Sequence, residues 1–482
     1  MAGRGTAARP RDLAAAMREA NALRREGKLA AARKGYRRVL AIDWRQPEAL
    51  NNAGIVAFQL GRADESLQLL EAAVALQPAE AEAHNNLALV LHAVGRAAEA
   101  AAGCRRALTL NPRLADAHFN LGNALLDLDQ PAAAAAAYEQ AASLRPEIAS
   151  VHFQLGLAHH AHGDVDGAIA ALERAAELEA TGGRALYSLG NALQAAERLD
   201  DAVDAYERAL ASEPELAEQV FGVGKPRHVH ALLRRGDAAG ALAACKSFLE
   251  GHPGDSCALA HAAVAYSELG DSKGLARLHD FDRLVRPHRP RAPKPHRDIH
   301  AYNRALQAHI CAHPSLIVAP ASFSVEGGQT TGELLVKPLG PMNAFQKIVR
   351  EAVEDYIAAL PDDPSHPFVA RAPKRWRATV WSIIIGPGGH QVPHIHPSGW
   401  LSAVYYLRLP STVSPPGGED HGWIEFGRPY RDVPFTVAPR TRRFQPEEGL
   451  MLMFPSYMFH GTIPYPGSED RISISFDILP LA

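Results

Sequence analysis

A spacing of 34 residues runs through the first half of the chain and constrains its fold more than any other feature. Six residues hold one position of this register: Gly27, Gly61, Gly95, Asp129, Gly163 and Glu197. Alanine recurs five residues after most of these positions, and proline recurs seventeen residues after most of them. The spacing resumes at Gly236 and Gly270 after a slip of five residues near GVGKPRH. A period of this length predicts a repeat architecture whose units bury their apolar faces against their neighbours.

The individual units carry a motif of their own. Segments such as QLGRADESLQLLEAAVALQP and AVGRAAEAAAGCRRALTLNP resemble the tetratricopeptide repeat. The resemblance implies an α-solenoid over residues 11–282, built from about eight pairs of helices. Within each pair, Gly and Ala allow the helices to pack closely. Proline ends the second helix because it cannot continue the hydrogen-bond ladder.

One polar position recurs in the first helix of successive units, on the face that the resemblance implies is concave. Five residues hold it: Asn52, Asn86, Asn120, Gln154 and Ser188. A side-chain amide can donate and accept a hydrogen bond at once, so a ladder of amides can hold an extended polypeptide. Repeat arrays that deliver polypeptides to an attached enzyme, notably O-linked N-acetylglucosamine transferase, are similar. We therefore predict partner binding here; the alternative is that these side chains are solvated or hydrogen-bonded between repeats.

The composition changes after the last repeat. The segment RLVRPHRPRAPKPHRD, residues 283–298, is rich in Pro and Arg and predicts an extended connector. One amphipathic helix is predicted at 341–360. Short runs of strand-forming residues separated by Gly and Pro turns occupy most of residues 299–482. Such runs are typical of a sandwich or barrel, and we predict a double-stranded β-helix, a cupin-like jelly-roll domain.

Three histidines of this second half stand beside predicted strands. His394 and His396 precede one strand, and alternation places them on the same face. His460 follows a later apolar strand, and Arg471 and Ser473 lie on the last one. The motifs HIHPSGWLSAVYYLRLP, FPSYMFHGTIPY and RISISF, in this order, resemble the Fe(II)/2-oxoglutarate-dependent oxygenases. They are most similar to a bacterial group of that superfamily in which the domain is often joined to tetratricopeptide repeats.

The resemblance implies a role for each matching residue. His394, His396 and His460 are the expected metal ligands and catalytic centre, holding Fe(II) on one face so that 2-oxoglutarate and O2 can occupy the other positions. Arg471 is expected to bind the far carboxylate of 2-oxoglutarate, because a guanidinium offers a bidentate fork that lysine lacks. Ser473 and Tyr406 are expected to add hydroxyl contacts, although Tyr406 is also suited to packing in the core.

The chain departs from the family at one ligand position. The family has Asp or Glu two residues after the first histidine, whereas this chain has His396. A face of three histidines still binds Fe(II), with one negative charge fewer. The alternative is that His396 lies outside the metal coordination and that Glu425 or Asp420 supplies an oxygen ligand.

Four further aromatic residues lie near the motifs. His390 and His421 stand beside Gly-rich stretches, and we expect both to be exposed turn or loop residues. Trp381 and Trp400 are candidates for the mouth of the pocket, but core packing is the more usual role of a tryptophan in a strand-rich domain.

These features together predict an Fe(II)- and 2-oxoglutarate-dependent dioxygenase that hydroxylates a protein or peptide substrate docked on the repeats. One alternative is a scaffold protein with a catalytically silent cupin domain. Another is a cupin metalloenzyme that acts without a keto acid. A glycosyltransferase, which the repeats alone would suggest, is disfavoured because the C-terminal half is too short and too β-rich for two nucleotide-binding α/β domains.

Composition limits the partners and the location. Hydrophobic residues at 47% and charged residues at 21% are typical of a globular protein, and a net charge of −3 disfavours nucleic-acid binding. The four cysteines form no Cys-x-x-Cys pair, which fits a reducing compartment. The chain shows neither the apolar core of a signal peptide nor a run of about 20 apolar residues. We therefore expect a cytoplasmic protein without a membrane partner.

Overall fold

The structure is a computed structural model that describes residues 8–178, 182–216, 226–320, 324–337, 339–413, 419–431, 433 and 435–481. The chain divides into two compact units, Met1–Glu213 and Pro214–Ala482. The first unit is entirely helical in its described part, and the second combines helices with two antiparallel sheets.

The first unit is a row of helical hairpins. Its helices are Ala8–Arg25, Leu29–Ile42, Pro47–Gln59, Ala63–Leu76, Ala81–Ala93, Ala97–Leu110, Ala115–Asp127, Pro131–Leu144, Ala149–His162, Val165–Leu178, Gly183–Ala195 and Leu199–Ser212. Each helix packs against the next, and the buried residues are mostly alanine with interspersed leucine, valine and tyrosine. The predicted α-solenoid is therefore confirmed.

The 34-residue register marks the turn inside each hairpin. Gly27 there has a φ of 72°, and Asp129 and Glu197, the non-glycine members, have φ values of 56° and 60°. Glycine is favoured at this position because a left-handed backbone is costly for other residues. Gly122 serves a different purpose in the first helix of its pair: a Cβ atom there would lie 2.5 Å from Cε1 of Tyr138. Its absence allows the two helices to approach each other closely.

The second unit begins with helices that continue the repeat pattern. Its helices are Arg227–Arg234, Ala238–Gly251, Ser256–Glu268, Ser272–Leu278, Phe281–Leu284, Ile299–Cys311 and Met342–Ala358, with a 3-10 turn at Val369–Arg371. Gly236 and Gly270 again adopt positive φ between paired helices. The slip near GVGKPRH falls largely on residues 217–225, which lie outside the described residues. The helix predicted at 341–360 is present as Met342–Ala358.

Ten strands follow or interleave with these helices. They are β1 Arg286–His288, β2 Ile317–Val318, β3 Val325–Thr330, β4 Trp376–Gln391, β5 Leu401–Arg408, β6 Ile424–Phe426, β7 Arg442–Phe444, β8 Met451–Pro455, β9 His460–Thr462 and β10 Arg471–Pro480. A seven-stranded sheet has the order β1-β8-β5-β10-β4-β3-β2, and a three-stranded sheet has the order β7-β6-β9. This is the antiparallel, strand-rich domain predicted from the sequence.

Alternation along β10 gives the larger sheet two different faces. Phe476 packs against the helix Met342–Ala358, where the ring of Phe345 lies 6.5 Å from its own, and alternation puts the buried Ile474 on the same face. The residues that alternate with them along the strand, Ser473 and Ser475 among them, therefore point to the opposite, inner face. Because Arg471 and Asp477 share this inner register, β10 presents polar side chains to the interior of the domain.

Part of the predicted connector belongs to the sheet. Residues 283–298 were expected to form an extended spacer, and Arg286–His288 is extended, but it pairs with β8 as the edge strand β1. The last repeat helices also pack against the strands: Ser256 Oγ donates to the carbonyl of Gly399, and Tyr457 Oη donates to that of Leu278. The compact unit that contains the strands begins at Pro214, within the residues predicted to be repeats, and the boundary predicted at 282 stays a prediction.

Among the described residues, no helix combines the length and the apolar composition needed to cross a bilayer.

The packing of the last repeat helices predicts which fragment folds. A fragment of residues 214–482 should unfold cooperatively, whereas a fragment of residues 283–482 should aggregate, because it loses the helices that contact Tyr457 and Phe459. Thermal circular dichroism with size-exclusion chromatography of both fragments measures this. Equal melting temperatures and monomeric elution for the two would show that these helices are not part of the domain core.

Candidate metal centre

Three histidine rings converge between the two sheets. The backbones of His394 and His460 form an isolated antiparallel bridge, in which each N–H donates to the other carbonyl at 3.0 and 2.9 Å. The N–H of His396 donates to the carbonyl of Ser456 at 3.0 Å. The ring centroids lie 4.2 Å apart for the bridged pair and 5.0 to 5.1 Å apart for the pairs with His396. One ligand atom of each ring lies within 4.8 Å of the others.

Each ring is oriented through its Nδ1 atom. Nδ1 of His394 lies 2.8 Å from the carbonyl oxygen of Val392, and Nδ1 of His460 lies 3.0 Å from that of Met458. Nδ1 of His396 lies 2.6 Å from a carboxylate oxygen of Asp477. An acceptor at Nδ1 places the proton there and leaves the lone pair on Nε2, which is how histidine ligands are usually held for a metal.

Burial keeps the imidazoles in the form that binds metals. Burial, helped by the neighbouring His396, lowers the pKa of His394 to about 3. Burial likewise lowers the pKa of His460 well below its ordinary value, with smaller contributions from the other two rings. At neutral pH these two side chains are therefore neutral, and a metal ion need not displace a proton to bind them.

The carboxylates that could serve as alternative ligands are engaged elsewhere. Glu425 accepts hydrogen bonds from Arg428 and Arg443, and Asp420 accepts one from Arg443 at 3.0 Å. On β6, the neighbouring Phe426 pairs with His460, so alternation turns Glu425 to the opposite face of its sheet. Within the described part of the chain, the three histidines form the group suited to a metal ion.

A buried cation lies on the strand beside the histidines. Arg471 is 1% exposed, and its guanidinium donates to the carbonyl of Gly422 at 2.9 Å and lies 5.1 Å from the ring centroid of Tyr406. Three polar atoms here have no hydrogen-bond partner among the described residues: Nε of Arg471, Oη of Tyr406 and Oγ of Ser473. Since a buried cation without a carboxylate is costly, these atoms are suited to receive an anionic ligand.

One cavity connects the two groups. It has a volume of about 160 Å³, and the three histidines and Arg471 all line it, together with the inward-facing Ser475 and the ring of Trp381. The structure thus brings the predicted metal ligands and the predicted anion-binding arginine to a single enclosed space. Ser473 and Tyr406 lie buried beside the arginine.

Sequence reasoning missed Asp477, which holds His396. One of its carboxylate oxygens also accepts a hydrogen bond from Ser402 Oγ at 2.7 Å, and Ser402 in turn lies 2.8 Å from Ser456 Oγ. The sequence RISISFDI could have indicated that Asp477 faces the site, because alternation on one strand puts Arg471, Ser473 and Asp477 on the same face.

The four neighbouring aromatic residues have different roles. Trp400 donates to the carbonyl of Phe368 and stacks on its ring at 4.7 Å, so it is a core residue. Trp381 lines the cavity, 5.6 Å from the ring of His396. His421 lies in a turn, as expected, but it is partly buried. His390 lies within β4 and is partly buried, so the expectation of an exposed turn residue was wrong.

The repeat amides make contacts between successive hairpins. Nδ2 of Asn86 donates to Asn51 at 3.0 Å, and Nδ2 of Asn120 donates to Asn85 at 2.9 Å. Nδ2 of Asn52 makes a longer contact of this kind. Gln154 and Ser188 hold the equivalent positions in later helices and are partly buried. Hydrogen bonding between repeats is thus one role of these amides, and partner binding stays a prediction.

Fold and site together define a protein of helical repeats that also contains an antiparallel, strand-rich domain with a buried histidine cluster. Residues 379–477 match the profile of the family described as "Putative 2OG-Fe(II) oxygenase". Tetratricopeptide-repeat profiles match residues 51–115, 119–185 and 183–216. The chain therefore carries tetratricopeptide repeats and a domain of this oxygenase family, as the resemblance predicted. Among curated proteins, none matches the chain significantly.

Several solved structures are similar to part of the chain. A structure of MamA is 26% identical and covers 34% of this chain and 96% of its own, with a TM-score of 0.31. TTC0263, a TPR protein from Thermus thermophilus, is 27% identical and covers 39% and 99%, with a TM-score of 0.31. YrrB, a TPR protein described as having an unusual peptide-binding site, is 20% identical and covers 37% and 92%, with a TM-score of 0.34.

The contact between Asp477 and His396 predicts a loss of metal affinity on substitution. Asp477→Ala should weaken Co(II) binding about 10- to 100-fold, because His396 loses the acceptor that orients it. Asp477→Asn, which keeps an acceptor oxygen, should lose less. Calorimetric titration measures both, with the exposed Asp470→Ala as the matched control. If Asp477→Ala binds Co(II) as tightly as the control, the carboxylate does not orient a ligand.

Burial of neutral histidines predicts an acid-sensitive domain. Since the pKa of His394 falls from 6.5 to about 3 on folding, the unfolded chain binds the proton more tightly. The stability contributed by neutral His394 is complete above pH 6.5 and declines as the pH falls toward 3. Tryptophan-monitored melting of metal-free protein between pH 7.5 and 5 tests this, since four of the five tryptophans lie in the second unit.

The matched control for this experiment is a histidine without such burial. His394→Gln should flatten the dependence of melting temperature on pH, whereas His162→Gln, at an exposed position, should leave the dependence unchanged. An equal slope in the native protein and in His394→Gln would contradict the assignment of acid sensitivity to this ring.

Proposed function

We propose that the protein is an Fe(II)- and 2-oxoglutarate-dependent dioxygenase that hydroxylates a protein or peptide substrate. The observation that carries the proposal is the enclosed cavity between three Nδ1-anchored histidines and a buried, unpaired arginine. Three imidazoles on one side of a cavity suit iron, and they leave its other positions open. The match of residues 379–477 to the oxygenase family supports the same conclusion.

The residues divide into those that hold the metal and those that bind the co-substrate. His394, His396 and His460 would hold Fe(II), which with 2-oxoglutarate and O2 supplies the oxidising power for hydroxylation of a C–H bond. Arg471 binds the far carboxylate of 2-oxoglutarate in a charge-assisted contact, and Ser473 and Tyr406 donate hydroxyl hydrogen bonds to the same group.

The walls of the cavity contribute by excluding water and fixing orientation. Trp381, Ile383 and Phe454 line the cavity with apolar surface, which strengthens the attraction between Arg471 and a carboxylate. The hydrogen bond from His396 to Asp477 keeps its ring turned toward the other two histidines. These groups are placed before any ligand binds, so little reorganisation is needed on binding.

The repeats supply the reason for a polypeptide substrate. Tetratricopeptide repeats generally bind peptides or proteins, and the first unit of this chain consists of them. We place the docked polypeptide on the concave repeat surface, at the polar positions of the first helices: Asn52, Asn86, Asn120, Gln154 and Ser188. Asn86 uses one N–H to bond the preceding repeat, and its carbonyl oxygen and second N–H remain suited to a peptide backbone, whereas Asn120 makes the same kind of bond but is buried.

Anaerobic titration with Fe(II), with and without 2-oxoglutarate, tests the proposal. A visible charge-transfer absorbance should appear only when both are present. Arg471→Met should weaken 2-oxoglutarate binding about 10- to 100-fold and leave Fe(II) affinity unchanged, because a charged hydrogen-bond donor is lost. Its melting temperature should not fall, since a buried unpaired charge is replaced by an apolar side chain of similar length. Arg408→Met, at a partly exposed position on β5, is the matched control.

Three results would contradict the proposal. Turnover that persists in the His394→Ala, His460→Ala double variant would show that these histidines do not hold the metal. Absence of stoichiometric Fe(II) binding in the native protein would favour a scaffold with a silent cupin domain. Turnover that is independent of 2-oxoglutarate would indicate the keto-acid-independent type of cupin metalloenzyme.

A further inference from the structure

A second and larger cavity adjoins the one that contains the histidines. It has a volume of about 530 Å³, and Gln391 lines both cavities. The wall between them includes Pro393 and Gly461, which directly neighbour two of the histidines in sequence. We call this larger cavity the cleft. Its position makes it the neighbouring space from which another molecule can approach the histidine cavity.

Arginines dominate the charge of the cleft. Arg428, Arg431 and Arg443 line it, and Glu425 is the one carboxylate among its described lining residues. The side chain of Glu425 is only 9% exposed, whereas those of Arg428 and Arg443, which it holds by hydrogen bonds, are 44% and 42% exposed. The carboxylate therefore lies beneath the two arginines and orients them, while their remaining N–H groups are open to solvent.

Arg431 differs from the other two arginines. It is exposed and has no ion pair among the described residues. The lining thus carries a net positive charge even after Glu425 is counted, and Asp420 offsets only part of it through Arg443. A cleft with this balance favours an occupant that carries a carboxylate.

Apolar groups complete the cleft. The ring of Tyr430 packs edge-on against Phe459 at 5.0 Å, and Phe435 is 40% exposed at the rim. The segment after Phe435 is anchored, because the carboxylate of Glu268 accepts hydrogen bonds from the backbone N–H groups of Thr436 and Val437 at 3.0 and 3.2 Å. The cleft therefore has a cationic part and an apolar part, and the segment after the apolar Phe435 is hydrogen-bonded to a repeat helix through Glu268.

We infer that the cleft is the substrate subsite of the oxygenase domain and binds an extended polypeptide segment with an acidic side chain close to the residue that is hydroxylated. This inference rests on the proposed function, which places the reaction in the adjoining cavity. A polypeptide is favoured because the volume is more than three times that of the histidine cavity and because apolar side chains can occupy the sector around Phe435. The arginines select the acidic side chain.

Fluorescence anisotropy with the full-length protein tests the inference. The probes are two labelled dodecapeptides of Gly, Ala and Phe that differ only in three positions, glutamate in one and lysine in the other. The native protein should bind the glutamate peptide more tightly. Arg431→Glu should weaken that binding by about fivefold or more and improve binding of the lysine peptide, because one charge at the cleft is reversed.

A neighbouring arginine provides the matched control. Arg442 lies next to Arg443 on β7, but alternation turns it to the other face, where it lies 3.6 Å from Asp282. Arg442→Glu makes the same change in net charge and should leave both peptide affinities as in the native protein. Equal affinity of the native protein for the two peptides, or an equal effect of Arg431→Glu and Arg442→Glu, would overturn the inference. So would competition by free glutamate as strong as that by the glutamate peptide.

The test is separable from that of the proposed function. Arg431→Glu should keep the native response to Fe(II) and 2-oxoglutarate, because Arg431 does not line the histidine cavity. A native protein that shows the peptide preference but no joint Fe(II) and 2-oxoglutarate signal would overturn the proposed function. A native protein that shows the signal but no peptide preference would overturn only the assignment of the cleft.

Discussion

The paired backbone hydrogen bonds between His394 and His460 are the constraint on which the site depends. They join a segment after β4 to the start of β9, and so bring together two rings that are distant along the chain. Side chains alternate along an extended backbone, so a slip of one residue would turn one ring away from the other. The backbone acceptors of the two Nδ1 atoms, Val392 and Met458, each lie two residues before their histidine. Register and ring orientation are therefore set together.

Strand β10 gives the cavity its chemical polarity. Its inner face carries a cation at Arg471 and a carboxylate at Asp477, with serines between them. The two charges do not neutralise each other, because the carboxylate is engaged with His396 and Ser402 while the arginine has no anionic partner among the described residues. A protein under selection for stability alone would place an apolar residue or a paired charge at position 471. The free-energy cost of burying the Arg471 charge without an anionic partner is explained if an anionic ligand binds there.

How far the sequence predicts the structure differs from one feature to another. The repeats were readable because a 34-residue register forces the same turn conformation each time, even where Asp129 or Glu197 replaces glycine. The histidine face was readable because alternation and motif order both pointed to it. The hydrogen-bond acceptors of His394 and His460 could not be predicted, because both are backbone carbonyls and any residue type can supply one. Asp477 was visible in principle, but its partner His396 lies far away along the chain, in the segment between β4 and β5.

The division of the chain was the least readable feature, and the reason bears on function. The helix Ser256–Glu268 follows the repeat pattern at Gly270, so its sequence looks like that of any other unit. Yet it bonds Gly399 through Ser256 and holds Thr436 and Val437 through Glu268. A helix with the repeat pattern thus forms part of the wall of the strand-rich domain, beside the cleft. This packing is possible because each repeat unit has an apolar face that must be covered by a neighbour. At the end of the array, a sheet can cover that face as well as another hairpin can.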